Sequence, residues 1–234
     1  MAMLATTVLV LLAVTRSPGF VMRVMAPRWG RWLCAVAGIR LEVEGREHLE
    51  RPAVIVANHQ SLLEAFIVPA VVSPKTRMVG KKELARIPFF GWVFRATGQV
   101  LIDRQDSASA RAALDDSLSN MPPGISVYVC PEGTRSQDGT LLPFKKGAFH
   151  IAMQLKLPVV PLTLDGAHLL MPKHAWLPRP GTVRLLISPP IDTSGWTVER
   201  MDEQVAQVRD LIARNLERLR AAARCLPGRR LSIL

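Results

Sequence analysis

A chain of 234 residues, 49% of them hydrophobic, can bury one sizeable core. Thirty basic residues against nineteen acidic ones give a net charge of +11, but the low aromatic content of 6% and the absence of an RNA-binding motif argue against nucleic acid as the partner. Three cysteines, Cys34, Cys130 and Cys225, without CxxC spacing argue against a cysteine zinc site and a disulfide framework, and favour a reducing compartment.

The charge is concentrated at the ends. Residues 1–40 carry five arginines and no acid, and residues 209–234 carry seven arginines against Asp210 and Glu217. The span 41–208 holds 18 basic and 17 acidic residues and is nearly neutral. Basic ends on a neutral middle suit an anionic membrane face. Ala2 to Val14 is uncharged and mostly apolar; as a helix it is about 20 Å long, shorter than the roughly 30 Å hydrocarbon core of a bilayer. It lacks a basic n-region and an A-x-A site, so no cleaved signal peptide is expected. Phe20 to Ile39 mixes apolar residues with Arg23, Arg28, Arg31, Trp29 and Trp32, and Pro27 is expected to kink it. Residues 1–40 are therefore expected to be membrane-anchoring helices lying at the headgroup level, against the alternative of two ordinary helices packed on the core.

Residues 41–196 read as an α/β domain. Short β-branched runs at Leu41–Glu44, Ala53–Ala57, Arg77–Val79, Val100–Asp103, Ile125–Cys130, Val159–Thr163 and Val183–Ser188 alternate with helical patterns near 61–72, 81–96, 106–119 and 146–156. Such alternation predicts a central mixed, mostly parallel sheet flanked by helices, preceded by the N-terminal membrane-associated helical segment. Residues 197–234 are expected to be a basic amphipathic helix and tail, with apolar residues at 198, 201, 205, 208, 212, 216 and 219.

The stretch VIVANHQSLLEAF, Val54 to Phe66, sets an apolar strand against His59, with Glu64 five residues on. Ser61-Leu-Leu-Glu64 matches a capping box, with Ser61 as N-cap and Glu64 at the third helical position. His59 then stands at a strand-to-helix turn, where open α/β sheets bind ligands. From there Glu64 can reach the imidazole, fix its tautomer and stabilise its protonated form. Two plainer readings stand beside this one: Glu64 as a cap only, and His59 bonded to a nearby carbonyl. Ser61 as a nucleophile is disfavoured, because no G-x-S-x-G elbow surrounds it and it already has a capping role.

A second strand-and-turn, VYVCPEGTRS (Val127–Ser136), completes a pattern. With His59…Glu64, Gly98-Gln-Val-Leu-Ile-Asp-Arg104, Glu132-Gly-Thr-Arg135 and Leu157-Pro-Val-Val-Pro161, in that order, the chain from about 38 to 190 resembles the glycerolipid acyltransferase family, in particular its bacterial 1-acyl-sn-glycerol-3-phosphate acyltransferases (lysophosphatidic acid acyltransferases). One position departs from the family pattern: Glu64 stands where aspartate is usual, one methylene longer.

The resemblance implies transfer of a fatty acyl group from acyl-CoA or acyl-carrier protein to the free sn-2 hydroxyl of lysophosphatidic acid, giving phosphatidic acid. His59 and Glu64 are the implied catalytic pair, with His59 as general base. Arg135 and Arg104 are the first choices for the acceptor's phosphate, a group that guanidinium matches in bidentate fashion. Glu132, Gly133 and Thr134 belong to the same binding turn, Glu132 and Thr134 chiefly as its shapers. Lys82 is a further candidate cation, as are Lys81, Lys145 and Lys146. Pro161 is expected to shape a pocket wall, and Asp103 to serve Arg104 as an ion pair or the chemistry directly. His48, His150, His168 and His174 carry no paired signal. No His/Asp/Glu spacing suggests a metal, and no cofactor is expected. The implied partners are the acyl donor, a lysophospholipid acceptor and a membrane surface, at the cytoplasmic face of the inner membrane, through a monotopic or single N-terminal anchor. The competing readings are another lysolipid acceptor, and a non-enzymatic phospholipid-binding membrane protein on the same scaffold.

Overall fold

The computed structural model describes residues 24–86, 91, 94, 97–102 and 114–225. Most of the expected anchoring segment, residues 1–23, lies outside the described residues. Among the described residues the first helix is α1 (Ala26–Val36), with Pro27 in its first turn, where a missing N–H costs nothing. The strands are β1 (Ile39–Glu44), β2 (Val54–Ala57), β3 (Thr76–Lys81), β4 (Val100–Ile102), β5 (Ser126–Val129), β6 (Val159–Asp165) and β7 (Gly181–Ile187). They form one sheet in the order β1-β7-β6-β2-β5-β3-β4. Five strands from β6 to β4 run parallel; β1 and β7 run parallel to each other and meet the rest across the antiparallel β6–β7 pair. The sheet is thus mixed and mostly parallel.

Helices cover both faces, as parallel strands require. Alternation along β2 sends Ile55 and Ala57 to one core with α2 (Glu64–Val71), and Val54 and Val56 to the other with α3 (Gly147–Leu155) and α5 (Met201–Cys225). A short helix, α4 (Ala167–Leu170), follows β6. α1 packs on α2: the Trp29 and Phe66 rings meet edge to face at 5.3 Å, and a Cβ on Gly30 would collide with the Phe66 carbonyl oxygen. Glycine there lets the two backbones approach closely. On the far side, Met201, Val208, Ile212 and Leu216 of α5 are buried against the sheet, so its apolar stripe is core and its arginines face outward or toward loops.

Two helical expectations differ from the structure. α2 begins at Glu64, not Ser61; residues 62–63 form a turn in which the Leu63 N–H is drawn to the Ser61 hydroxyl. The pattern at 81–96 gives a 3-10 turn at Lys82–Arg86, with most of the rest outside the described residues. Residues 114–119 are helical, within the expected 106–119.

Register places the site. Val56 stands opposite Val129, so three residues further on His59 and Glu132 leave the sheet side by side. Ala57 stands opposite Leu162, which brings Asn58 and Gln60 beside the end of β6. The carboxyl ends of β2, β5 and β6 therefore converge on the two quoted turns, at the edge where open α/β sheets bind ligands.

Candidate active site

Asn58 fixes the first turn. Its amide donates to the Leu164 carbonyl and accepts from the Leu164 N–H, both at 2.8 Å, and so ties the end of β2 to β6. His59 follows. Its backbone N–H donates to Glu132 Oε1 at 2.7 Å, and its carbonyl accepts the Ser136 N–H at 2.8 Å. The two motif turns are thus clasped through the histidine's own backbone.

The imidazole is oriented by Glu64. Nδ1 lies 2.7 Å from Glu64 Oε2, while the ring remains 27% exposed. The other oxygen, Oε1, accepts the N–H groups of Gln60 at 2.6 Å and Ser61 at 2.9 Å. Glu64 therefore ties down the turn before α2 and holds the histidine at once, one oxygen for each task. An ionised carboxylate has acceptor capacity for all three donors. With Nδ1–H directed at the carboxylate, neutral His59 carries its lone pair on Nε2, which has no partner among the described residues. In that tautomer Nε2 is free to accept a proton or a hydrogen bond.

Ser61 is fully buried. Its hydroxyl donates to the Met171 carbonyl at 2.7 Å and accepts the Leu63 N–H at 3.2 Å. These contacts give it a structural place between α2 and the segment after α4.

The Glu132-Gly-Thr-Arg turn is built around a buried acid. Glu132 Oε1 takes the His59 N–H and Oε2 takes the Leu142 N–H at 2.9 Å. Burial pushes its carboxyl above the ordinary value, and those two N–H groups pull it partly back. With both oxygens engaged by backbone donors, Glu132 holds the turn together. Gly133 has φ +72°, which favours glycine, and the Lys145 side chain lies across it, Nζ being 3.2 Å from where a Cβ would stand. Thr134 is exposed and Arg135 is half-buried; the Arg135 guanidinium has no ion pair or hydrogen bond among the described residues.

The match to known proteins agrees with this geometry. Residues 40–165 match the family model described as Acyltransferase. The chain belongs to the acyltransferase family. Curated members named 1-acyl-sn-glycerol-3-phosphate acyltransferase include one from Limnanthes alba, 38% identical over 76% of this chain, and one from Haemophilus influenzae, 31% identical over 82% of this chain and 80% of its own length. The chain spans 64% of the Limnanthes alba protein's length. Among solved structures, the 1-acyl-sn-glycerophosphate (LPA) acyltransferase PlsC from Thermotoga maritima is similar with a TM-score of 0.75 and 31% identity, over 92% of this chain and 83% of that one.

In this acyltransferase-family chain the other candidate cations are differently placed. Arg104 and Asp103 lie outside the described residues. Lys81 pairs with Glu83 at 2.9 Å, and Lys82 is exposed in the adjoining 3-10 turn with interactions of its own. Lys146 pairs with Asp202 at 2.8 Å, pinning the start of α3 to that of α5. Lys145, over Gly133, is the lysine beside the motif. Pro161 is buried in β6.

Three participants were not evident in the sequence. Tyr128 OH lies 3.5 Å and Cys130 Sγ 3.8 Å from Glu64 Oε2, and the two are 3.6 Å apart. Burial, and then the neighbouring Cys130 and Glu64 charges, push the Tyr128 phenol well up. The signal available was the two-residue period of β5, which sends Tyr128 and Cys130 to the face covered by α2. The third is His168, whose Nδ1 is 3.1 Å from Gln60 Oε1. The sequence suggested no metal-ligand spacing, but the fold gathers one donor atom each from His59, Glu64 and Cys130 within 4.8 Å. Nitrogen, oxygen and sulfur donors suit zinc. Here the His59 and Glu64 atoms are already bonded to each other, and the set reads as a dyad with a thiol beside it.

Proposed function

We propose that the protein transfers a fatty acyl group from a thioester donor, acyl-CoA or acyl-carrier protein, to the sn-2 hydroxyl of 1-acyl-sn-glycerol 3-phosphate. The observation that carries this reading is the His59 Nδ1–Glu64 Oε2 contact of 2.7 Å at the mouth of the parallel sheet, with Nε2 left for substrate. An alcohol is a poor nucleophile until a base takes its proton. Nε2 of His59 takes the hydroxyl proton as the oxygen attacks the thioester carbonyl. Glu64 stabilises the imidazolium, which then gives the proton to the departing thiol. Arg135, with Lys145 across Gly133 of the same turn, receives the acceptor's phosphate. Residues 1–40 hold the protein on the cytoplasmic face of the membrane. Among the described residues no helix is long and apolar enough to cross a membrane.

Acyl transfer by the purified full chain, with a panel of lysolipid acceptors and both donor types, tests the reading. Phosphate-bearing lysophosphatidic acid is expected to be the best acceptor. His59→Ala is expected to lower the rate by about two to four decades with the fold intact. Wild-type turnover in that variant would exclude His59 as the base. Lysolipid binding without turnover in the wild-type protein would favour a binding protein.

A further inference from the structure

Large apolar side chains left in water are unevenly distributed over this molecule. Seven are exposed among the described residues: Trp32, Val36, Leu62, Leu169, Trp176, Leu177 and Val198. Leu62, Leu169, Trp176 and Leu177 lie at the His59 end of the sheet, and Val36 at the end of α1 that leads to it. Trp176 is 93% and Leu177 81% exposed, in the segment 171–180 that joins α4 to β7. This segment is fixed at both ends. Its Met171 carbonyl accepts the Ser61 hydroxyl at 2.7 Å, which puts it next to the His59 turn and Leu62. At its other end Pro180 packs on Gly38, and the Gly181 N–H donates to the Gly38 carbonyl at 3.1 Å, just beyond the last turn of α1. Val36 lies in that last turn and Trp32 one turn earlier. Topology agrees: β1 and β7 run opposite to β2, so their amino ends stand where β2, β5 and β6 end.

The two segments that carry these residues are basic: no acidic residue occurs from 32 to 41 or from 167 to 182, whereas Arg40, Lys173 and Arg179 do, and the nearby acids Asp138 and Asp165 lie beside His168. Isolated exposed leucines need no explanation, but a gathered set with tryptophans and cations marks an interaction surface. Tryptophan with leucine among lysine and arginine is the composition of the headgroup–acyl boundary of an anionic bilayer.

We propose that the segment 171–180 inserts Trp176 and Leu177 into the surface of an anionic phospholipid bilayer, forming with Trp32 and Val36 of α1 a docking rim around the mouth of the His59 site. This adds a second attachment point, far along the chain from the N-terminal segment, and sets the level at which His59 meets lipid. An acceptor lying in the bilayer, with its free hydroxyl near the headgroups, then reaches Nε2 without leaving the membrane. That consequence rests on the acyltransferase reading; the docking itself does not.

The experiment uses the full chain with vesicles of phosphatidylglycerol and phosphatidylcholine, some carrying brominated acyl chains. Trp176 fluorescence is taken as the difference between wild type and Trp176→Phe. The expected results are quenching of this difference signal by the brominated lipid, and a vesicle partition at least about tenfold lower for the Trp176→Ala/Leu177→Ala double variant. Circular dichroism and melting should match wild type, since both side chains are exposed. An unquenched Trp176 on vesicle-bound protein, failure of the wild type to bind these vesicles, or a double-variant partition within twofold of wild type would each overturn the proposal. Neither readout needs turnover, so an inactive wild-type protein would end the acyl-transfer reading and leave this one standing.

Discussion

His59 Nδ1 and Glu64 Oε2 are 2.7 Å apart because Glu64 is anchored by its other oxygen, which accepts two amides of the turn between the two residues. The carboxylate cannot swing away from the imidazole without giving up the amides of the turn before α2. Local folding and imidazole orientation are therefore one interaction. The extra methylene relative to aspartate is accommodated by this double use.

Replacing Glu64 by glutamine separates charge from shape. The amide oxygen of Gln can still accept from Gln60 and Ser61, so the helix start should persist. Its NH2 group then faces Nδ1 and favours the tautomer with the proton on Nε2, which cannot act as base. We expect kcat to fall by roughly one to three decades. Glu64→Asp keeps the charge and should retain more activity than Glu64→Gln. Equal activity of Glu64→Gln and wild type, with a difference only in melting temperature, would reduce Glu64 to a cap.

Tyr128 supports the same oxygen from beneath. It is buried, and its hydroxyl has Glu64 Oε2 and the Cys130 thiol for company. Tyr128→Phe removes one long hydrogen bond worth about 0.5–1.5 kcal/mol and should lower kcat about two- to tenfold with KM for both substrates unchanged. A rise in KM without loss of kcat would place Tyr128 at a substrate surface and not behind Glu64.

Strands were legible because parallel strands buried on both faces are continuous β-branched runs: Val54–Ala57 and Ser126–Val129 are buried at every position. The two turns were legible because polar residues end those runs. What stayed hidden was what long-range pairing creates. Nothing local links Tyr128 to Glu64, or His168 to Gln60, 108 residues apart. The link from Glu64 back to the turn was anticipated, but not the cap itself: the helix begins at Glu64 with Leu63 as N-cap, and the glutamate's second oxygen serves His59. The 3-10 turn at Lys82–Arg86 was masked by a sequence whose apolar spacing also suits an α-helix.

Arg135 should discriminate between the two substrates. Its guanidinium has no protein partner among the described residues, as expected of a group reserved for a ligand. Arg135→Ala should raise KM for a phosphate-bearing acceptor by a factor corresponding to about 1.5–3 kcal/mol, and should leave KM for the donor thioester largely unchanged. Steady-state kinetics with each substrate varied in turn measures this. A defect confined to the donor would move Arg135 to the CoA or carrier-protein side.

The contact between His168 and Gln60 braces the turn carrying His59, and the burial of the His168 ring makes stability depend on pH. Neutral His168 can donate from Nδ1 to Gln60 Oε1 at 3.1 Å. Burial pushes the His168 pKa below its ordinary 6.5; Asp165 and Asp138 oppose this shift and Arg220 assists it. Arg220 of α5 also bonds Asp165 at 3.2 Å and the Gly139 carbonyl at 2.6 Å, so the surrounding charges are themselves fixed. The unfolded chain therefore binds a proton at His168 more readily than the folded one. The stabilising contribution is complete above pH 6.5 and is lost as pH falls through the lowered folded value. Urea unfolding at pH 7.5 and again near pH 5.5 should show wild type losing more stability than His168→Gln, which keeps a polar partner for Gln60 but cannot titrate. Equal losses in the two proteins would mean that the acid sensitivity arises at other groups.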